Sequence, residues 1–325
     1  MEKNSNNIRI EMEKKRDLSL DYAKGVAMLS IVIGHLYFYC DRYQGSLAYA
    51  VCDTVQIPVF MYISGLLAHI SIDRDGFRKL IGSKVIRLLF PFLSFCLIWA
   101  LVEPSKADKL LTDEFKRGIW FLPVLFELMA VLSFVRRIYI KYNIPSYISN
   151  SIIYAALTLY LYLLPRDSMF NTVFSINLVW HYYPFFMLGY YYWKIERIMQ
   201  FRYVPVYFVL YVVSLYFYFA LGMKGMKAPC NLFSLLFLMT TFQRGYMAGK
   251  KVFAQFGQLS LQIYMLQFFL LSPLKEVLPV VENRWLEFPY YAAIAMVVIV
   301  LCIIVSRLLM RSRWLSMLLF GIRPK

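Results

Sequence analysis

Apolar residues fall along this 325-residue chain in runs separated by short clusters of charge. The runs are about twenty residues long, the length of helix that crosses a bilayer, so each is read as one membrane-spanning helix. They predict ten helices, over residues 18–39, 51–72, 85–103, 118–135, 147–164, 174–193, 204–221, 229–243, 259–279 and 288–306. Tyrosine and tryptophan crowd several run ends (Tyr190, Tyr191, Tyr192 and Trp193; Trp285, Tyr290 and Tyr291), as interfacial belts do. The expected fold class is therefore all-α, a polytopic integral membrane protein of about ten helices. A polar leader over 1–16 precedes a membrane domain over 17–306. A basic tail over 307–325 follows, with a short interfacial helix expected from Trp314 to Phe320.

Composition agrees. The chain is 60% hydrophobic and only 17% charged, with a mean hydropathy of +0.57, which excludes an ordinary soluble domain. A net charge of +16 could suggest a nucleic-acid partner, but no soluble basic domain exists to hold one. The charge lies in connections beside the apolar runs, where membrane topology accounts for it. Counting Lys and Arg in alternate connections favours both termini in the cytoplasm. The richest connection on the opposite side (Lys106, Lys109, Lys116, Arg117) is offset by Glu103, Asp108, Asp113 and Glu114. No small-residue cleavage site follows the leader, so the first run is expected to stay as a signal anchor. The five cysteines show no CxxC spacing and no adjacent histidine cluster, so neither a metal site nor a disulfide framework is indicated.

Candidate chemistry begins in the first run. Asp17 to His35 reads DLSLDYAKGVAMLSIVIGH, with Asp21 and Lys24 near one end and His35 near the other. On a helix, the steps from Lys24 to His35 turn through about 1,100°, three turns plus ~20°, and rise roughly 16 Å. Both side chains thus share one face. Lys24 alone could be a snorkelling anchor and His35 alone a hydrogen-bonding contact between helices. Aligned ionisable groups inside a span, however, usually face an aqueous or protein-lined interior and mark function. In the third run, Lys84 and Arg87 lie three apart at the inner end, either as anchors or as a phosphate-binding pair of point charge and planar fork. In the fourth, Glu127 stands at mid-membrane depth, where it could pair with a buried basic group, orient His35 or remain protonated.

Several of these strings resemble the membrane acyltransferase-3 family, which includes polysaccharide O-acetyltransferases. D-Y-A-K-G-V-A followed by I-V-I-G-H is similar to its opening helix, where a basic residue precedes a histidine at the spacing of Lys24 and His35. Q-I-P-V-F-M-Y-I-S-G resembles a second family segment, although Gln56 stands where many relatives have histidine. K-V-I-R-L-L-F-P, with Lys84, Arg87 and Pro91, resembles a third-helix motif linked to coenzyme A recognition. Trp-Phe-Leu in the fourth run, His181 to Tyr190, and Phe256 to Gln267 resemble later segments. The last usually ends Tyr-x-x-His and here ends Tyr264-x-x-Gln267.

The resemblance implies an O-acyltransferase of the bacterial cytoplasmic membrane. Acetyl-CoA would be the donor and co-substrate, with no metal, and the acceptor a hydroxyl of a cell-envelope saccharide or glycolipid. His35, with Glu127 as a second candidate, would be catalytic. Lys24, Lys84 and Arg87 would receive the coenzyme's phosphates. Two rivals stand beside this reading: a transporter or flippase of a lipid-linked saccharide, and a polysaccharide polymerase. The first is disfavoured by the lack of a repeat and of paired broken helices, the second by the lack of a large outer loop.

Overall fold

The computed structural model describes residues 18–40, 42–74, 77–164, 168–242, 250–278, 281 and 283–322. The leader expected over 1–16 lies outside them. Among the described residues the secondary structure is helical, with no β-strand.

A helix occupies each of the ten predicted stretches. In chain order these are α1 (Leu18–Tyr39), α2 (Leu47–Arg74), the pair α3 (Phe77–Lys84) and α4 (Phe90–Val102), then α6 (Phe121–Lys141) after a short α5 (Lys109–Thr112). There follow α7 (Ser146–Leu163), a short α8 (Met169–Phe174), α9 (Ile176–Tyr190), a short α10 (Tyr192–Ile195), α11 (Val204–Leu215) and α12 (Lys227–Phe242). Finally come α13 (Lys250–Gln258), α14 (Ser260–Val277), α15 (Arg284–Leu309) and, in the tail, α16 (Arg313–Phe320). Among the described residues, four segments are long and apolar enough to cross a membrane: Leu47–Ile72, Phe77–Val102, Phe201–Ala220 and Leu286–Leu309, with Ser260–Leu274 a shorter apolar helix. Several of the others differ for identifiable reasons. Helix α1 carries Asp21, Lys24 and His35, α6 ends in Arg136, Arg137 and Lys141, and α9 and α12 are short.

The chain divides into two compact units, Met1–Ile63 with Tyr191–Ser306, and Ser64–Tyr190 with Arg307–Lys325. In the first unit, α1 and α13 approach closely at two glycines. The bare Cα of Gly25 lies against the Phe253 carbonyl, and that of Gly257 against the Asp21 carbonyl, so a methyl group at either would collide with backbone. Small residues at a crossing let helices pack by dispersion alone, which apolar surroundings require. Around this crossing Ala23, Ala27 and Val32 are buried, and Tyr22 meets Phe242 and Phe253 edge-on at 5.0 and 5.4 Å. Helices α2, α11 and α12 are joined by polar contacts: the Thr54 and Tyr211 hydroxyls are 3.2 Å apart, and Ser234 Oγ donates to the Thr54 carbonyl at 2.8 Å.

In the second unit, a five-residue π-helical turn, Val85–Leu89, joins α3 to α4 and contains Arg87. Its cause can be read in the sequence. Pro91 has no N–H to offer the Arg87 carbonyl four residues back, and the Phe90 N–H bonds Val85 O instead. The turn is braced by the tail. Gly321 ends α16 at φ 63°, a conformation that favours glycine, and its Cα lies against the Ile86 and Arg87 backbone. Ser94 Oγ donates to Leu318 O at 2.9 Å beside it. The connection after α4 is also tightly held. Glu103 accepts from Lys106 and Arg117 at 2.9 and 2.8 Å, and the Lys106 bond, with Arg117, holds its carboxyl below the usual range. Arg117 covers the Trp99 ring at 4.4 Å. Lys116 is only 2% exposed, and its Nζ donates to Thr172 O at 2.6 Å.

Candidate active site

All three ionisable residues singled out in the first run, Asp21, Lys24 and His35, lie on α1, which runs unbroken from Leu18 to Tyr39. The helix therefore gives Lys24 and His35 the common face expected from their spacing. At its start, Lys24 Nζ sits 2.7 Å from Asp21 Oδ1, with side-chain exposures of 19% and 4%. A charge in apolar surroundings is tolerated when paired, and this pair explains why Asp21 accompanies Lys24 one turn away.

His35 lies three turns further on, against α14. Its ring packs on Phe268 with centroids 4.9 Å apart, and the neighbouring Gln267 side chain faces the imidazole. Gln267 is fully buried, and its Nε2 donates to the Tyr264 carbonyl at 3.3 Å. That bond commits the nitrogen end of the carboxamide and turns the oxygen end elsewhere. His35 Nδ1 and Gln267 Oε1 are both buried without a hydrogen-bond partner. On the preceding position of α1, Gly34 packs under Gln56 of α2, whose Oε1 lies 3.2 Å from where a Cβ would stand and is likewise unpartnered. Buried polar atoms are nearly always satisfied. Three such atoms around one turn of helix mark a place built to meet a polar group.

The second unit holds the remaining candidates. Arg87 is exposed on the π-helical turn, with Lys84 partly exposed at the preceding helix end. π-Helical turns recur at functional sites because they project side chains off the regular helical register. Glu127 lies on α6 within electrostatic reach of the buried Lys116. The two other histidines pack among aromatic rings, His69 with Tyr190 at 5.2 Å and His181 with Tyr182 at 4.8 Å. Two residues escaped the sequence reading. Gln267 was visible only as a departure from Tyr-x-x-His, and Lys116 looked like one of several solvated loop charges.

The class of protein is given by comparison: residues 17–307 match the acyltransferase-3 family, described as an acyltransferase domain, and the chain belongs to that family. It is 33% identical over 194 residues to the nodulation protein NolL of Mesorhizobium japonicum, covering 54% of this chain and 47% of that protein. It is 34% identical over 96 residues to NolL of Sinorhizobium fredii, covering 28% of this chain and 25% of that protein. The chain thus spans about half, or less, of the curated relatives it matches. No solved structure matches it.

Proposed function

We propose that this chain moves an acyl group, acetyl in the first instance, from acyl-CoA to a hydroxyl of a cell-envelope saccharide or glycolipid, as a multi-pass protein of the bacterial cytoplasmic membrane. The observation that carries the reading is His35: an imidazole three turns along α1 from Lys24, with its Nδ1 buried and Gln267 beside it. In this reading Gln267 Oε1 accepts the Nδ1 hydrogen, which leaves the Nε2 lone pair free to act as base. Nε2 takes the proton of the acceptor hydroxyl as its oxygen attacks the thioester carbonyl. The tetrahedral intermediate then collapses. The C–S bond breaks, the ester C–O bond remains, and the proton passes from His35 to the departing coenzyme thiolate. Lys84 and Arg87 receive the coenzyme's phosphates, Arg87 through its bidentate fork. Lys24 adds a further ammonium, using one of its three N–H donors on Asp21 and offering the others to the donor. All ten helices cross the bilayer in this reading, with both termini in the cytoplasm.

Two experiments test it. Purified protein in vesicles is given radiolabelled acetyl-CoA with saccharide acceptors. Label should move to saccharide, and a transporter or flippase would consume no acetyl-CoA. Reporter fusions after Tyr43, Asp73, Lys109 and Lys325 should read outside, inside, outside and inside. A cytoplasmic signal at Lys109 would break the ten-helix topology.

A further inference from the structure

Beyond His35, α1 continues to Phe38, one turn on and on a neighbouring face. Phe38 is 53% exposed, and its ring lies 5.5 Å from that of Tyr43, which in turn lies 5.7 Å from Tyr49. Tyr49 stands four residues before Asp53 on α2, so the two share a face. Asp53 Oδ2 meets Lys227 Nζ, from the first residue of α12, at 2.7 Å, and their side chains are 18% and 34% exposed. The Tyr218 phenol lies within electrostatic reach of both charges. An aromatic strip thus starts one turn past His35 and ends at a half-open ion pair.

A second relation fixes the level of this pair along the helices relative to the imidazole. Gln56, one turn after Asp53 on α2, is the residue that lies over Gly34, immediately before His35. The ion pair is therefore displaced from the level of His35 by about one helical turn, roughly 5 Å along α2. On α12, Asn231 follows Lys227 by one turn. It is 1% exposed, and its Oδ1 has no hydrogen-bond partner.

We propose that Tyr43, Tyr49, Asp53 and Lys227 form the subsite that receives the saccharide acceptor beside His35, an assignment that rests on the acyl-transfer reading above. Polyol recognition needs what stands here: flat apolar rings for the C–H faces of a sugar, a carboxylate to accept from hydroxyls, and an ammonium to donate to ring or hydroxyl oxygens. An interfacial aromatic belt would account for the rings. It gives no reason for an ion pair, with its desolvation cost, to close one end of the strip. A plain tie between α2 and α12 would in turn leave the aromatic path to His35 without a role. The small gap from Asp53 to the His35 level lets one sugar contact the pair while a hydroxyl on it or its neighbour reaches Nε2.

The test compares Tyr43→Ala, Asp53→Asn and the exchange Asp53→Lys with Lys227→Asp, using radiolabelled acetyl-CoA and a panel of methyl hexosides and short oligosaccharides. Losing a hydrogen bond to a charged group should raise the acceptor KM about tenfold in Asp53→Asn, leaving the donor KM in place. The exchange restores the ion pair, and with it the melting temperature. If it also restores the acceptor KM, the pair is only a tie between helices and the assignment falls. Wild-type acceptor KM in Tyr43→Ala and Asp53→Asn, or transfer to a plain alkyl alcohol in preference to every saccharide, would overturn it as well. Wild-type protein that consumes no acetyl-CoA would instead bring down the acyl-transfer reading, and this subsite with it.

Discussion

The Gln267 side chain faces the His35 imidazole, Gln267 Oε1 and His35 Nδ1 are both buried without hydrogen-bond partners, and the other end of the Gln267 carboxamide is already committed to the Tyr264 carbonyl. An acceptor next to a possible donor, both shut off from water, is a costly arrangement unless the two pair during the reaction cycle. Pairing fixes the imidazole tautomer with the hydrogen on Nδ1. Gln267→Leu should therefore lower kcat, by about 100-fold if the ring is displaced by an ångström, with little change in either KM. Gln267→His, which can still accept at one ring nitrogen, should recover much of the loss. The chain has three histidines, so nitrogen-15 shifts of labelled protein can report the His35 tautomer directly. An Nε2–H tautomer in the wild type would rule out the assignment.

Arg87 offers a separate test in the second unit. It is exposed on a π-helical turn braced by Gly321 and makes no ion pair among the described residues. If its fork grips a coenzyme phosphate, Arg87→Ala should raise the KM for acetyl-CoA far more than that for acceptor. Arg87→Lys should recover only part, because an ammonium cannot bind bidentately. Equal effects on both substrates would make Arg87 a membrane anchor.

The α1–α13 crossing makes a prediction about stability. Gly25→Ala and Gly257→Ala each push a methyl group into the backbone of the opposite helix. Overpacking of this kind costs about 1–3 kcal/mol, and here it also shifts the helix that carries Lys24 and His35. Both variants should melt earlier and transfer more slowly. Gly82→Ala, where a Cβ meets nothing within 4 Å, should be neutral or gain about 0.5–1 kcal/mol from helix propensity. Equal melting temperatures for all three would mean that the crossing is not tight in solution.

Much of this was legible in the sequence because hydrophobic runs and helical period are local properties. Leu18–Tyr39 emerged with the predicted ends, whereas the run over 85–103 reads as one unbroken helix and the structure opens it with a π-helical turn before Pro91. Crossing a membrane is less local. The run of α6 contains charges whose tolerance depends on partners from elsewhere, Arg136 on the Ile72 carbonyl and Arg137 over the Phe77 ring, and hydropathy alone cannot supply those partners. Gln267 was hidden for a similar reason. It is 232 residues from His35, and a glutamine in an apolar run has no periodic signature until the fold sets it against an imidazole. Lys116 looked solvated among four loop cations, yet the connection folds back and buries it on the Thr172 carbonyl. Long-range polar pairing is where single-sequence reasoning ran out.

The central prediction is that Lys24 and His35 do different jobs on one face of one helix. His35→Ala should lower transfer by about 10²–10⁴-fold while protein level and donor binding stay nearly intact, since a base acts in the transition state rather than in ground-state binding. His35→Gln keeps much of the size and hydrogen bonding but cannot carry a proton, so it should be as inactive as the alanine variant. Lys24→Ala should instead weaken donor binding, and Lys24→Arg should retain activity, because Asp21 and a phosphate can both be served by a guanidinium. Inserting one alanine after Leu29 rotates His35 by about 100° relative to Lys24, turning the imidazole away from Gln267 and Phe268. That insertion should abolish transfer although both side chains remain. Substantial transfer by His35→Gln would move the search for the base to Glu127.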